Sequence, residues 1–189
     1  MIRGVIGWAV RGSLIALLLG TAVEPTADSP AGVVAAFYKT YKSLRSSGGL
    51  PNRKDLPALK PFLSTRLHGL IVDALDYHDE WVKRYRNEPP REGGPSVTRK
   101  PPFANGEYFA SHFDGFHSFA IEGTARGPDE TWKVTVRFQC EAAEEWRDAV
   151  LVRREASRYV IDDVALAGSG SFSPGGRLSD ALRWREGKE

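Results

Sequence analysis

The residues that could do chemistry in this chain are few, and Asp148 is the most informative of them. It lies in Trp146-Arg-Asp-Ala-Val-Leu-Val152, a run that alternates apolar and polar. Strict alternation puts Asp148 on the same face as Trp146, Val150 and Val152, the apolar face. A carboxylate there must be hydrogen-bonded, paired, or forced toward its neutral form. It reads either as an acid or base in a pocket or as a structural Asp near a strand end, bonded to a Tyr, a Trp or a backbone N–H. Perturbed carboxylates mark sites only statistically, and the structural reading is favoured. With a five-residue connection over 141–145, Asp148 is expected opposite Phe138. Asp162-Asp163 sit in the last strand. One faces inward and one outward, either as a second carboxylate near Asp148 or, as favoured, as a cap at the strand exit.

His112, Asp114 and His117 form the one local cluster of His and Asp. These are ligand types of zinc or non-haem iron, but their spacing matches no strong metal motif, so no metal is expected. His78 falls in an apolar helical stripe and reads as a hydrogen-bonded core or rim histidine. Asp76-Tyr-His-Asp-Glu80 fans around more than half of a helix and reads as a solvated face. Cys140 is the single cysteine, so there is no disulfide within the chain and no thiol pair. It reads as a small buried apolar residue, since a nucleophile needs a base that the sequence does not place. There is no G-x-S-x-G, H-E-x-x-H, Walker loop or dinucleotide fingerprint, and no cofactor is expected.

The elements that must position these residues follow from periodicity. Ser29-Pro30 caps a helix whose apolar stripe is Val33, Val34, Phe37, Tyr38, Tyr41 and Leu44. Asp55 to Leu59 reads as a short capped turn. Ser64 caps a second helix with the stripe Leu67, Leu70, Ile71, Ala74, Leu75, His78, Val82 and Tyr85. The segment 87–102, with five of the twelve prolines between Pro89 and Pro102, reads as a long functional or mobile loop. From Phe116 the period becomes two. Strands are expected over 116–126, 132–140, 146–153 and 159–166, paired as a meander. Gly168 to Gly176 reads as flexible, and a short helix is expected over 178–184. Helices followed by antiparallel strands give an α+β fold: N-terminal helices packed in a curved antiparallel sheet of about four strands.

The N-terminus reads as a signal peptide, residues 1–22, followed by a linker at 23–28 and one α+β domain at 29–189. Arg3 and Arg11 precede the apolar run Leu14 to Leu19, and Gly20-Thr21-Ala22 supplies the cleavage site. A membrane span needs about 20 apolar residues, and Arg11 divides this stretch. The expected location is therefore periplasmic or secreted, with no integral span after processing. Formal net charge is +2, and the leader carries two arginines and no acid. The processed chain is thus neutral, which argues against a nucleic-acid partner.

One resemblance rests on Val34-x-x-Phe37-Tyr38-x-x-Tyr41, Leu59-x-Pro61-x-Leu63-Ser64-x-x-Leu67, Trp146-Arg-Asp148 and Tyr159-Val-Ile-Asp162-Asp163-Val164. This order resembles a family of secreted bacterial proteins of unknown function in the NTF2-like (cystatin-like cone) superfamily. Two departures stand out: Tyr159 replaces a common Trp, and the Pro-rich segment is long. The resemblance implies a sheet that wraps the helices around a pocket lined by Tyr38, Tyr41, Trp132, Phe138, Trp146 and Asp148. It also implies either of two uses of that pocket, since fold does not decide function. The first, favoured here, is non-catalytic binding of a small ligand, an envelope component or a protein partner. The second is an isomerase, dehydratase or hydrolase with Asp148 as general base. An inhibitory or immunity-type partner protein is a third alternative.

Overall fold

The computed structural model describes residues 28–44, 49–85, 100–140, 144–168 and 175–187. The leader, the cleavage site and most of the Pro-rich loop lie outside the described residues. The elements run α1 (Pro30–Leu44), α2 (Leu56–Leu59), a 3-10 turn (Lys60–Phe62), α3 (Thr65–Tyr85), β1 (Ser118–Arg126), β2 (Thr131–Gln139), β3 (Glu145–Glu155), β4 (Arg158–Leu166), β5 (Gly176–Arg177) and α4 (Leu178–Arg183). The fold is α+β, with one antiparallel sheet in the order β1-β2-β3-β4-β5. A fifth, two-residue strand thus joins the expected four. Its Gly176 lies in the stretch that reads as flexible, because glycine hides strand character from any propensity argument. It pairs through Leu166↔Gly176 and Ala165↔Arg177.

The sheet is amphipathic by alternation. Val134, Val136 and Phe138 of β2, with Trp146, Asp148, Val150 and Val152 of β3, are buried on one face. The other face carries Arg137, Arg147, Glu122 and Glu145, joined by ion pairs at 2.5–3.0 Å. Hydrogen bonding to Arg147, reinforced by the Arg147 and Arg137 charges, holds the Glu122 carboxyl below its ordinary range against a smaller opposing effect of burial. Asp148 pairs with Val136, and Phe138 with Trp146. The expected partner of Asp148 was Phe138, two residues away. The β2–β3 connection spans 140–144 instead of 141–145, which moves the register by two and keeps every side chain on its face.

α1 lies across the buried face with Val33, Val34, Phe37, Tyr38 and Tyr41 turned inward. Ser29 accepts a hydrogen bond from Gly32 N at 3.0 Å, a side-chain N-cap. α3 is likewise capped by Ser64, whose Oγ accepts from Leu67 N at 3.0 Å. Ser64 N donates to Ile161 O at 2.8 Å, docking the helix start on β4. A bulge at Asp162, between the pairs Val152↔Ile161 and Leu151↔Asp163, turns that carboxylate toward Ser64 Oγ at 2.7 Å and Arg66 Nε at 3.1 Å. Asp162 thus braces the capping Ser64 and Arg66 through their side chains. Asp163 accepts from Ser179 N at 3.0 Å and Ser179 Oγ at 2.7 Å, tying α4 to the strand. Each acid of the dyad therefore has a structural partner set, and neither set includes Asp148.

The α3 stripe holds for Leu67, Ile71, Ala74 and Leu75, with Trp81 buried in addition. Trp81 continues the same stripe, seven residues after Ala74 and three after His78. The C-terminal segment covers it: Trp81 Nε1 donates to Glu186 Oε2 at 3.2 Å, and Arg185 stacks over Tyr77 at 4.8 Å. Asp76 and Asp79 on the outer face clamp Arg53 at 2.5 and 2.9 Å. The short turn at α2 is held by Asn52 in place of Asp55. Asn52 Oδ1 accepts from Lys54 N at 2.9 Å and Asp55 N at 3.1 Å, and Asp55 makes no side-chain cap. No described helix is long and apolar enough to cross a membrane.

Candidate functional site

Five of the six residues expected to line a pocket meet at the buried face, where they fill space. Tyr38 and Phe138 have no exposed surface, and Tyr41, Trp146 and Asp148 are buried. Tyr38 packs edge-on to Phe138 at 5.1 Å, and Phe138 stacks on Trp146 at 5.6 Å. Phe109 inserts beside Phe37 and Tyr41 at 5.0 Å from each. Trp132, the sixth, lies apart at the other end of β2, edge-on to Tyr159 at 4.9 Å.

Asp148 is 2% exposed. Its Oδ2 accepts from Ser111 N at 2.8 Å and Trp146 Nε1 at 3.2 Å. Its Oδ1 accepts from Ala167 N at 2.8 Å and from the Ser111 hydroxyl. Four donors converge on one carboxylate, two of them backbone amides, so both oxygens are committed. The carboxylate bolts the 109–111 segment and the exit of β4 onto the sheet. That arrangement argues against Asp148 as a general base, which needs a lone pair open to substrate. The Ser111 hydroxyl bonds directly to Asp148, and the imidazole of the next residue, His112, turns to Trp146, so these three do not form a Ser–His–Asp relay.

The remaining polar groups of the cluster have the same character. Tyr38 OH donates to Phe109 O at 2.7 Å. Burial, reinforced by the charges of Asp148 and Glu107, pushes the Tyr38 phenol well above its ordinary range. Glu107 Oε1 accepts from Tyr41 OH at 2.7 Å, Tyr108 N at 2.9 Å and Phe109 N at 2.8 Å. His78 Nδ1 bonds to Pro102 O at 2.6 Å, as expected of a rim histidine. Together these bonds fix an irregular segment, 100–116, whose backbone has few ladder partners of its own.

The local cluster of His112, Asp114 and His117 is not brought together. His117 is exposed, and its backbone N–H bonds to Gln139 O at 2.7 Å. His112 stacks on Trp146 at 5.2 Å and faces Cys140 and Glu144 instead. Cys140 is half-buried and free. These three offer ligand atoms within 4.8 Å of one another, and among the described residues they form the one group of three that could hold a metal ion.

A groove opens on the other side of the sheet's end. It has a volume of about 410 Å³ and is lined by Pro57, Lys60, Pro61, Leu63, Thr65, His68, Glu155 and Arg158. The α2 turn and the Ser64 cap set its wall, and the β3–β4 hairpin brings Glu155 and Arg158 across. Glu155 Oε2 accepts from Thr65 N at 3.2 Å and Thr65 Oγ at 3.1 Å, placing a carboxylate at the positive end of α3. Pro57, Pro61 and Leu63 supply its apolar lining, Lys60, His68 and Arg158 its basic groups, and Glu155 an acid. Burial, and then the Lys60 charge, lower the His68 pKa. None of the expected site residues lies in this groove. The available signal was Pro57, Pro61 and the Ser64 cap, which announce a helix start flanked by basic residues.

No family model, characterised protein or solved structure matches the chain.

Proposed function

We propose that this chain is an exported, non-catalytic binding module, and that its ligand seat is the groove at the start of α3. The leader-like sequence at 1–22 supports export to the periplasm or beyond. Helices laid across one face of an antiparallel sheet are compatible with an NTF2-like cone whose interior is packed with aromatic rings. The observation that carries the binding reading is a contrast. The carboxylate best placed for chemistry, Asp148, is held by four donors, whereas the groove of about 410 Å³ joins Pro57, Pro61 and Leu63 to Lys60, His68 and Arg158, its one acid, Glu155, being taken up by Thr65. Its volume lies in the range of about 300–1,000 Å³ usual for small-molecule sites.

The chemistry favours a small acid with an apolar body, its anionic group at the Lys60–Arg158 edge and its body on Pro57, Pro61 and Leu63. The test is a thermal-shift series with phenyl phosphate and phenylacetate on the purified chain and on Arg158→Glu. Binding to the folded state raises the melting temperature by mass action. The wild type should be stabilised with saturation, and R158E should lose the shift while its ligand-free melt stays near wild type. Equal shifts in both proteins, or none in either, would remove the groove as the seat.

A further inference from the structure

We propose that His112, Cys140 and Glu144 form a binding site for a zinc-class divalent cation, independent of the groove. The three residues come from two segments that approach only in the folded chain. His112 follows Ser111, whose backbone N–H and hydroxyl are both fixed on Asp148, and its ring stacks on Trp146 at an interplanar angle of 26°. Cys140 and Glu144 bracket the β2–β3 connection, which is closed by Cys140 N donating to Glu144 O at 3.1 Å. Imidazole, thiol and carboxylate thus converge at the end of the hairpin, with ligand atoms within 4.8 Å of one another.

One further distance points to a shared ion. His112 Nε2 lies 3.9 Å from Glu144 Oε2, too far for a hydrogen bond and close enough for both to reach one ion. With Nε2 on the ion, the buried Nδ1, which has no hydrogen-bond partner, is the ring nitrogen that keeps its proton. Zinc bound at about 2.0–2.3 Å sets neighbouring ligands about 3.3–3.8 Å apart. The approach needed is about 1 Å, and Glu144, with 59% of its side chain exposed, is free of packing that would resist it. The donor set selects the metal. A thiolate with an imidazole favours zinc over magnesium or calcium, which take oxygen ligands. Three protein ligands leave a fourth tetrahedral position for water or an incoming group. Asp148 acts here as a positioning residue, because it fixes the backbone next to His112.

The experiment is metal titration of the purified, chelator-treated chain under reductant, using zinc by calorimetry and cobalt by absorption. The chain should take up about one zinc per molecule, and the cobalt form should show a thiolate-to-metal charge-transfer band. Cys140→Ser should abolish that band and weaken zinc by at least about tenfold. Glu144→Gln should weaken zinc while leaving the metal-free melting curve unchanged, since the side chain is largely exposed. Absence of zinc uptake by the wild type, or an undiminished band and affinity in Cys140→Ser, overturns the site. Should Cys140→Ser fail to fold, Glu144→Gln and His112→Gln decide, and unchanged zinc affinity in both overturns it equally.

Discussion

Replacing Asp148 by Asn changes one oxygen to an NH₂ and leaves the volume alone, so its effect isolates the four hydrogen bonds. The amide oxygen can serve one pair of donors. If it takes the Oδ2 side, it keeps Ser111 N and Trp146 Nε1, and the NH₂ faces Ala167 N–H across 2.8 Å. The Ser111 hydroxyl, which accepts from Gly168 N at 3.2 Å, can turn to accept from that NH₂ as well, but this does nothing for Ala167 N–H. If the amide is flipped, Ser111 N and Trp146 Nε1 are both left facing an NH₂. Either way one buried backbone N–H is stranded, at about 1–3 kcal/mol, and the surviving bonds lose the strengthening that a charged acceptor gives. Relief from burying a carboxylate offsets part of this. A net loss of about 3 kcal/mol is expected, read as a lowered urea midpoint with unchanged slope. At about 2–4 °C per kcal/mol for a chain of this size, the melting temperature should fall by about 6–12 °C. A carboxylate held open for catalysis gives the opposite sign, because replacing a functional group commonly leaves a protein as stable or more so. An Asp148→Asn protein within about 0.5 kcal/mol of wild type, or more stable, would refute the structural role.

Other outcomes follow from single contacts. Tyr38→Phe removes the donor to buried Phe109 O and should cost about 1–3 kcal/mol in a denaturant titration; no change would mean that water replaces the phenol. Burial pushes the Asp162 carboxyl up, but bonds from Arg66 and Ser64 and the Arg66 and Arg153 charges outweigh it and leave its pKa lowered. Its stabilisation is therefore full above the unfolded value of about 3.9 and is lost as pH falls through the folded one. Arg66→Gln should flatten the acid limb of the stability curve, and an unchanged limb would count against this pair. Gly49 has φ +98° and an added Cβ would meet Phe103 O at 2.7 Å, so Gly49→Ala should lower stability by more than about 1 kcal/mol; a neutral result would show that this approach relaxes freely. An anion held beside His68 favours the imidazolium, and burial and Lys60 lower the His68 pKa, so affinity for phenylacetate, which stays charged, should rise as pH falls below the ordinary imidazole value of about 6.5; a flat profile would place the ligand elsewhere.

The long elements are legible in the sequence because each buries one face. Val33 to Tyr41 and Leu67 to Leu75 repeat at helical spacing, and Val134 to Phe138 and Trp146 to Val152 alternate. Asp148 is legible as an inward carboxylate for the same reason, although its partner is displaced by two because alternation fixes face and leaves register to the connection. Trp81 falls at helical spacing from Ala74 and His78, so its burial was legible, whereas its partner Glu186, 105 residues away, was not. The sites are the least legible part. The groove joins the α2 turn to the β3–β4 hairpin, and His112 meets Cys140 and Glu144 at the end of the β2–β3 hairpin. Local spacing suggested Asp114 and His117 as companions of His112. Convergence of distant segments is a property of the fold, and no window along the chain contains it.

The proposed seat at the start of α3 and the sealing of Asp148 can be read in one experiment. Amide chemical-shift mapping of the chain with phenyl phosphate tests both most directly. The account predicts saturable shifts gathered at Lys60, Thr65, His68 and Arg158, with Ser111, Trp146 and Asp148 unmoved. Shifts centred on Ser111, Trp146 and Asp148 would contradict it, since they would mean that the sealed carboxylate opens to a ligand.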